Sequence, residues 1–122
     1  MAKTILLVDD SATSRMKSRM LFENNREYEF ISACDGQEGV EVALERNPDL
    51  ILMDVEMPRM SGIEACQTLR KNAATRKTPI ILLTMRGEES IVKQGFANGC
   101  NEYMLKPLDE KALAITMKKY LG

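Results

Sequence analysis

The run Leu50-Ile51-Leu52-Met53-Asp54-Val55-Glu56-Met57-Pro58-Arg59-Met60-Ser61-Gly62-Ile63-Glu64 holds a strand, a loop and a helix start in succession. Leu50–Met53 is apolar without polar alternation, as a strand covered on both faces requires. Asp54 ends it. Ser61 and Glu64 have the spacing of a capping box, and Ile63, Cys66 and Leu69 then recur on one helical face.

The same alternation extends outward in both directions. Thr4–Val8, Tyr28–Ala33, Ile80–Leu83 and Glu102–Leu105 read as further strands. The first helix is expected over Ala12–Asn25, with Ala12, Met16, Met20 and Leu21 facing the core. A second, Gly36–Glu45, starts at Asp35 with Glu38 in capping-box spacing and offers Val40, Ala43 and Leu44. A fourth runs over about Glu88–Asn98, with Ile91, Val92, Gly95 and Phe96 to pack and Gly99 as its stop. The last begins near Asp109 and repeats Leu113, Met117 and Leu121. Five strand–helix pairs imply a parallel sheet with right-handed crossovers and helices on both faces. No composition break or linker divides the chain, so residues 1–122 read as one α/β domain.

Composition narrows the function. With 17 basic and 18 acidic side chains the net charge is −1, so no broad positive field exists to hold nucleic acid. The apolar runs fall far short of a membrane span, and the N-terminus lacks a secretory pattern. Three scattered cysteines without a CxxC pair suggest neither a zinc site nor a disulfide framework, and fit a reducing cytoplasm. The chain has no His, which removes Ser-His-Asp and Cys-His catalysis and every His-based metal site. Phosphate-binding glycine strings are also missing, which removes the common nucleotide folds.

Ligands of open parallel sheets bind beyond the carboxyl ends of the strands. There the strands deliver Asp9-Asp10, Asp54, Thr84 and Lys106-Pro107, while Cys34-Asp35 reads as helix capping. Three carboxylates converging at one edge repel one another unless a cation sits among them. Hard oxygen donors with open positions suit Mg²⁺. Lys106 adds a fixed positive charge and Thr84 a hydroxyl donor. An in-line nucleophile, a metal and a cation on the equatorial oxygens are what phosphoryl transfer requires.

The strings Ile5-Leu6-Leu7-Val8-Asp9-Asp10-Ser11, Asp54 to Gly62, Pro79-Ile80-Ile81-Leu82-Leu83-Thr84 and Tyr103-Met104-Leu105-Lys106-Pro107 resemble those of bacterial two-component response-regulator receiver domains of the CheY-like, single-domain type. The resemblance covers the whole chain in the family's order. It implies the flavodoxin-like (βα)5 fold, a doubly wound five-stranded sheet in the order 2-1-3-4-5. It implies Asp54 as phosphoacceptor and Mg²⁺ held by the carboxylates of Asp10 and Asp54, the backbone carbonyl of Glu56 and, through water, Asp9. Thr84 and Lys106 would bind the phosphoryl group, and Tyr103 matches the aromatic that turns inward when Thr84 moves. A cis Lys106-Pro107 bond is also implied.

The implied partners are a sensor histidine kinase upstream and a target protein downstream, with chemotaxis as one setting and a monomeric, cytoplasmic protein expected. A phosphorelay to a histidine phosphotransfer protein, or a fragment of a larger regulator, is the alternative. The face of the fourth helix, fifth strand and fifth helix, carrying or flanked by Lys93, Lys111, Lys118 and Lys119, would change shape on phosphorylation. Such a domain catalyses only its own phosphorylation and dephosphorylation.

Two departures from the family pattern bear on rate. Met85 stands where receivers carry a small residue, and its thioether is expected to narrow the entrance to the site. Glu56 and Arg86 each stand two residues beyond Asp54 and Thr84, and are expected to face each other across the mouth and shield the acyl phosphate from water. Met57 and Met60 are expected to pack under their loop, and most of the nine methionines to fill core space. Flavin binding is the first rival, opposed by the phosphate-repelling Asp9-Asp10. A small Mg²⁺-dependent phosphatase is the second, but its nucleophile would end the first strand rather than the third.

Overall fold

Five parallel strands, β1 (Lys3–Val8), β2 (Tyr28–Ala33), β3 (Leu50–Asp54), β4 (Ile80–Thr84) and β5 (Glu102–Leu105), alternate with α1 (Ala12–Met20), α2 (Gly36–Arg46), α3 (Gly62–Arg70), α4 (Glu89–Ala97) and α5 (Glu110–Leu121). The computed structural model describes residues 2–23, 25–85 and 89–122. The sheet order is β2-β1-β3-β4-β5, the flavodoxin-like arrangement expected from the sequence.

Every residue of β3 and β4 is buried, and the burial is divided between two faces. Leu6, Val8, Ile51, Met53, Ile80 and Leu82 meet Val40 and Ala43 of α2 and Ala65, Cys66 and Leu69 of α3. Ile5, Leu7, Leu50, Leu52, Ile81 and Leu83 meet Phe22 and, from α5, Leu113 and Met117. Two apolar faces explain why the central strands show no polar alternation.

Helix starts follow their capping signals. The Asp35 carboxylate accepts from the Glu38 amide at 2.9 Å, and Ser61 with Glu64 closes a full capping box. Asp109 accepts from the Ala112 amide at 2.9 Å. Gly99, at φ 100, turns the chain beyond α4 in a conformation that glycine adopts without strain.

The first helix departs from expectation. It ends at Met20 rather than Asn25, tightening into short bonds from the Leu21 amide to the Ser18 carbonyl and from the Phe22 amide to the Arg19 carbonyl. Ala12, Met16 and Met20 face outward, Met16 at 62% and Met20 at 61% exposure. The stripe that faces the sheet is Ser14, Ser18, Leu21 and Phe22. The buried Phe22 ring, packed against Tyr28 and Phe30, sets the rotation of the helix, with Ser18 buried on the same side. Leu44 and Phe96 likewise lie more exposed than their helical spacing suggests.

Met57 and Met60 pack against the core from their loop, as expected. Met53 and Met117 are buried, whereas Met16, Met20 and Met85 are exposed. The three cysteines are free thiols. Among the described residues no helix is long and apolar enough to cross a membrane.

Candidate phosphoacceptor site

The strand ends converge. Asp9 follows β1 fully buried, Asp54 closes β3 at 6% exposure, and Thr84 closes β4 at 7%. Parallel pairing sets their level: Val8 stands beside Met53, Asp54 beside Leu83, and Thr84 beside Leu105. Lys106, one residue past β5, therefore reaches inward over the same edge. Its ammonium donates to Asp54 Oδ2 at 2.9 Å and to Asp9 Oδ2 at 3.0 Å. The Lys106-Pro107 bond is cis.

The loop after β3 is drawn tight against the strand end. The Gly62 amide donates to the Val55 carbonyl at 2.8 Å, and a Cβ on Gly62 would run into the Asp54 carbonyl oxygen. On the β1 side, Asp9 Oδ1 accepts from the Ser11 amide at 3.0 Å, and the Arg15 guanidinium donates to the Asp9 carbonyl at 2.7 Å. Arg15 had no signature in the sequence, because a side chain that binds backbone leaves no residue-pair pattern.

Burial pushes the Asp54 carboxyl up to about 7; the Lys106 ammonium pulls against that shift, and the neighbouring Asp9 carboxylate adds to it. Burial would raise Asp9 too, but hydrogen bonds from the Ser14 hydroxyl, the Ser11 amide and Lys106 outweigh it and hold Asp9 low. Burial alone would depress the Lys106 ammonium, and the two carboxylates raise it. The edge is thus an acidic pair bridged by one cation.

Within this site Asp54 Oδ1 is buried and accepts no hydrogen bond from the described residues, an unfavourable state for a carboxylate oxygen unless something binds it. Asp9, Asp10 and Asp54 each offer a carboxylate oxygen within 4.8 Å of the other two. All-oxygen donors at that spacing fit a hard divalent cation that keeps several waters. Asp9, Asp10, Asp54, Thr84 and Lys106 line a cavity of about 180 Å³, with Glu56 and Met85 also on its wall.

The family model described as response regulator receiver domain matches residues 5–118. The chain belongs to the response regulator receiver family. The receiver is 36% identical over 125 residues to the polar-differentiation response regulator DivK of Brucella ovis, covering 100% of this chain and 98% of DivK. It is 41% identical over 117 residues to the transcriptional regulatory protein ResD of Bacillus subtilis, covering 96% of this chain but only 47% of ResD, about half its length. Among solved structures it resembles the chemotaxis response regulator CheY4 of Vibrio cholerae, with a TM-score of 0.90, 30% identity and 99% and 100% of the two chains covered. The receiver domain of the sensor histidine kinase PA1611 of Pseudomonas aeruginosa, solved with magnesium in its active-site cleft, has a TM-score of 0.89 at 26% identity, over 98% of each chain.

The receiver brings together Asp9, Asp10, Asp54, Thr84 and Lys106 as the sequence suggests. Met85 lines the cavity and is 72% exposed. Glu56 is exposed beside it, while its proposed partner Arg86 lies outside the described residues. Tyr103 stands apart from the cavity on β5, 41% exposed, with its ring edge-on to Phe96 of α4 at a centroid distance of 6.4 Å. Of the lysines near that face, Lys93 pairs with Glu89 at 3.1 Å and Lys119 with Glu102 at 3.0 Å. Phe96, expected in the core, instead lies 47% exposed against the Tyr103 ring.

Proposed function

We propose that this receiver accepts a phosphoryl group on Asp54 from a sensor histidine kinase and passes the change to a partner protein through the face of α4, β5 and α5. The observation that carries the reading is Asp54, which lines a cavity with Lys106 and Thr84 and keeps one buried carboxylate oxygen, Oδ1, without a hydrogen bond from the described residues. A carboxylate oxygen of Asp54 attacks phosphorus in line as the phosphorus–nitrogen bond of phosphohistidine breaks, and the departing imidazole keeps the electron pair and takes up a proton from solvent. Mg²⁺ held by Asp10, Asp54, the Glu56 carbonyl and, through water, Asp9 would neutralise charge on the phosphoryl oxygens. Lys106 lies within reach of the same oxygens, and the Thr84 hydroxyl would donate to one of them. The new group then draws Thr84 inward and leaves room for Tyr103 to follow.

The domain acts on its own acyl phosphate and not on an outside substrate, and works in the cytoplasm. Similarity to DivK and CheY4 along nearly their whole lengths supports a free-standing role. The match to half of ResD supports a second reading, a receiver within a longer regulator. An immunoblot of the native protein decides between them by size. The chemistry is tested with phosphoramidate, a small phosphorus–nitrogen donor, and Mg²⁺. Mass spectrometry should place one phosphoryl group on the peptide carrying Asp54, and none in Asp54→Ala. Label on another residue, or none in either protein, refutes the reading.

A further inference from the structure

We infer that Phe96 is a positioning residue for Tyr103, a latch whose ring holds the tyrosine outward in the unphosphorylated receiver. This rests on the proposed role of Tyr103 as the switch aromatic. The two rings meet edge to face, 83° apart in plane with centroids at 6.4 Å, the arrangement in which the positive edge of one ring meets the negative face of the other. Both remain partly open to water, Phe96 at 47% and Tyr103 at 41%, so burial alone does not hold them together.

The backbone around the pair explains why Phe96 is there. Gly95 packs so closely that a Cβ on it would come within 2.7 Å of Leu82 Cδ1 and 3.2 Å of Cys100 Sγ. The missing side chain lets α4 settle onto β4, and Phe96, the next residue, then lies over the neighbouring strand. Leu82 is the β4 residue paired in register with Tyr103. One close approach thus fixes the helix beside the tyrosine and points Phe96 at its ring. The inward rotation of Tyr103 must break this contact, so the latch opposes the active form.

A ligand that needs the inward form binds with an affinity reduced by the fraction of molecules already in that form. Removing an aromatic partner of this kind shifts such an equilibrium by about 2- to 10-fold, with partly exposed rings at the lower end. The test uses the whole chain, labelled with 3-fluorotyrosine and titrated with beryllofluoride in the presence of Mg²⁺. Tyr103→Phe assigns one resonance among the three tyrosines. In Phe96→Ala the half-saturating beryllofluoride concentration should fall by about 2- to 5-fold, and the free protein's Tyr103 resonance should move toward its bound position. Phe96→Tyr, which keeps a ring, should behave as the wild type. In a Tyr103→Ala background, Phe96→Ala should have no effect. An unchanged half-saturation in folded Phe96→Ala, or the same change in both backgrounds, overturns the latch and leaves the switch standing. A Tyr103 resonance that stays fixed in the wild type while beryllofluoride binds overturns both.

Discussion

Lys106 carries two demands at once. It neutralises the buried pair Asp9 and Asp54 at 3.0 and 2.9 Å, and in the proposed reaction it also meets the incoming phosphoryl group. Removing one partner of a buried ionic cluster leaves uncompensated charge, so Lys106→Ala should lose about 3–5 kcal/mol in urea unfolding without metal. Millimolar Mg²⁺ should return part of that loss by binding the folded state alone. The same addition to Asp10→Ala should return little. A Lys106→Ala protein as stable as the wild type would refute the coupling. Met85 belongs to the same scale. Its side chain is exposed on the cavity wall; if it narrows the approach of small donors, Met85→Ala should be phosphorylated several-fold faster by phosphoramidate. Equal rates in a stopped-flow comparison would show that the side chain stands aside.

At the scale of the element, α1 shows how two stripes compete. Met16 and Met20 are the more apolar pair, yet Phe22, just past the helix, lies 6% exposed between the rings of Tyr28 and Phe30. A large aromatic anchor determines the helix rotation because its burial outweighs that of two flexible thioethers. Thermal and urea unfolding should therefore separate the two stripes. Phe22→Ala should cost about 3–5 kcal/mol, whereas Met16→Gln and Met20→Gln should each stay within about 0.5 kcal/mol of the wild type. A large loss in either methionine variant would return the helix to the rotation its periodicity suggests.

At the scale of the molecule, α5 is tied to the edge strand β5 through Glu102. The Tyr120 phenol and the Lys119 ammonium, the latter an ion pair at 3.0 Å, hold the Glu102 carboxyl below its usual value, against a smaller effect of burial. Burial and the facing Glu102, with a smaller contribution from Cys100, push the Tyr120 phenol up to about 12. The lowered carboxyl contributes stability that is present above its usual 4.5 and lost as pH falls through its depressed value. The raised phenol contributes stability that is whole below its usual 10 and lost as pH rises through about 12. Wild type should therefore exceed Tyr120→Phe by about 1 kcal/mol across the neutral range, with the gap closing at both extremes. A gap independent of pH would mean that the phenol acts by packing alone.

Much of this receiver is legible in its sequence, for a physical reason. Runs such as Leu50–Met53 and Ile80–Leu83 can be satisfied only by burial on two faces, and parallel strands buried on two faces need helices between them. Asp9, Asp10, Asp54, Thr84 and Lys106 were found because strand ends in such a sheet open onto one edge, so local pattern and chain order suffice to gather them. What the tertiary structure alone decided depends on distances between elements. The rotation of α1 about Phe22, the Arg15 bond to the Asp9 carbonyl, the buried Oδ1 oxygen of Asp54 and the Phe96 ring against Tyr103 each require two segments to meet at a particular depth and angle. Helical or strand period carries no information about those quantities, because they are set by how side-chain volumes fill the space between packed layers.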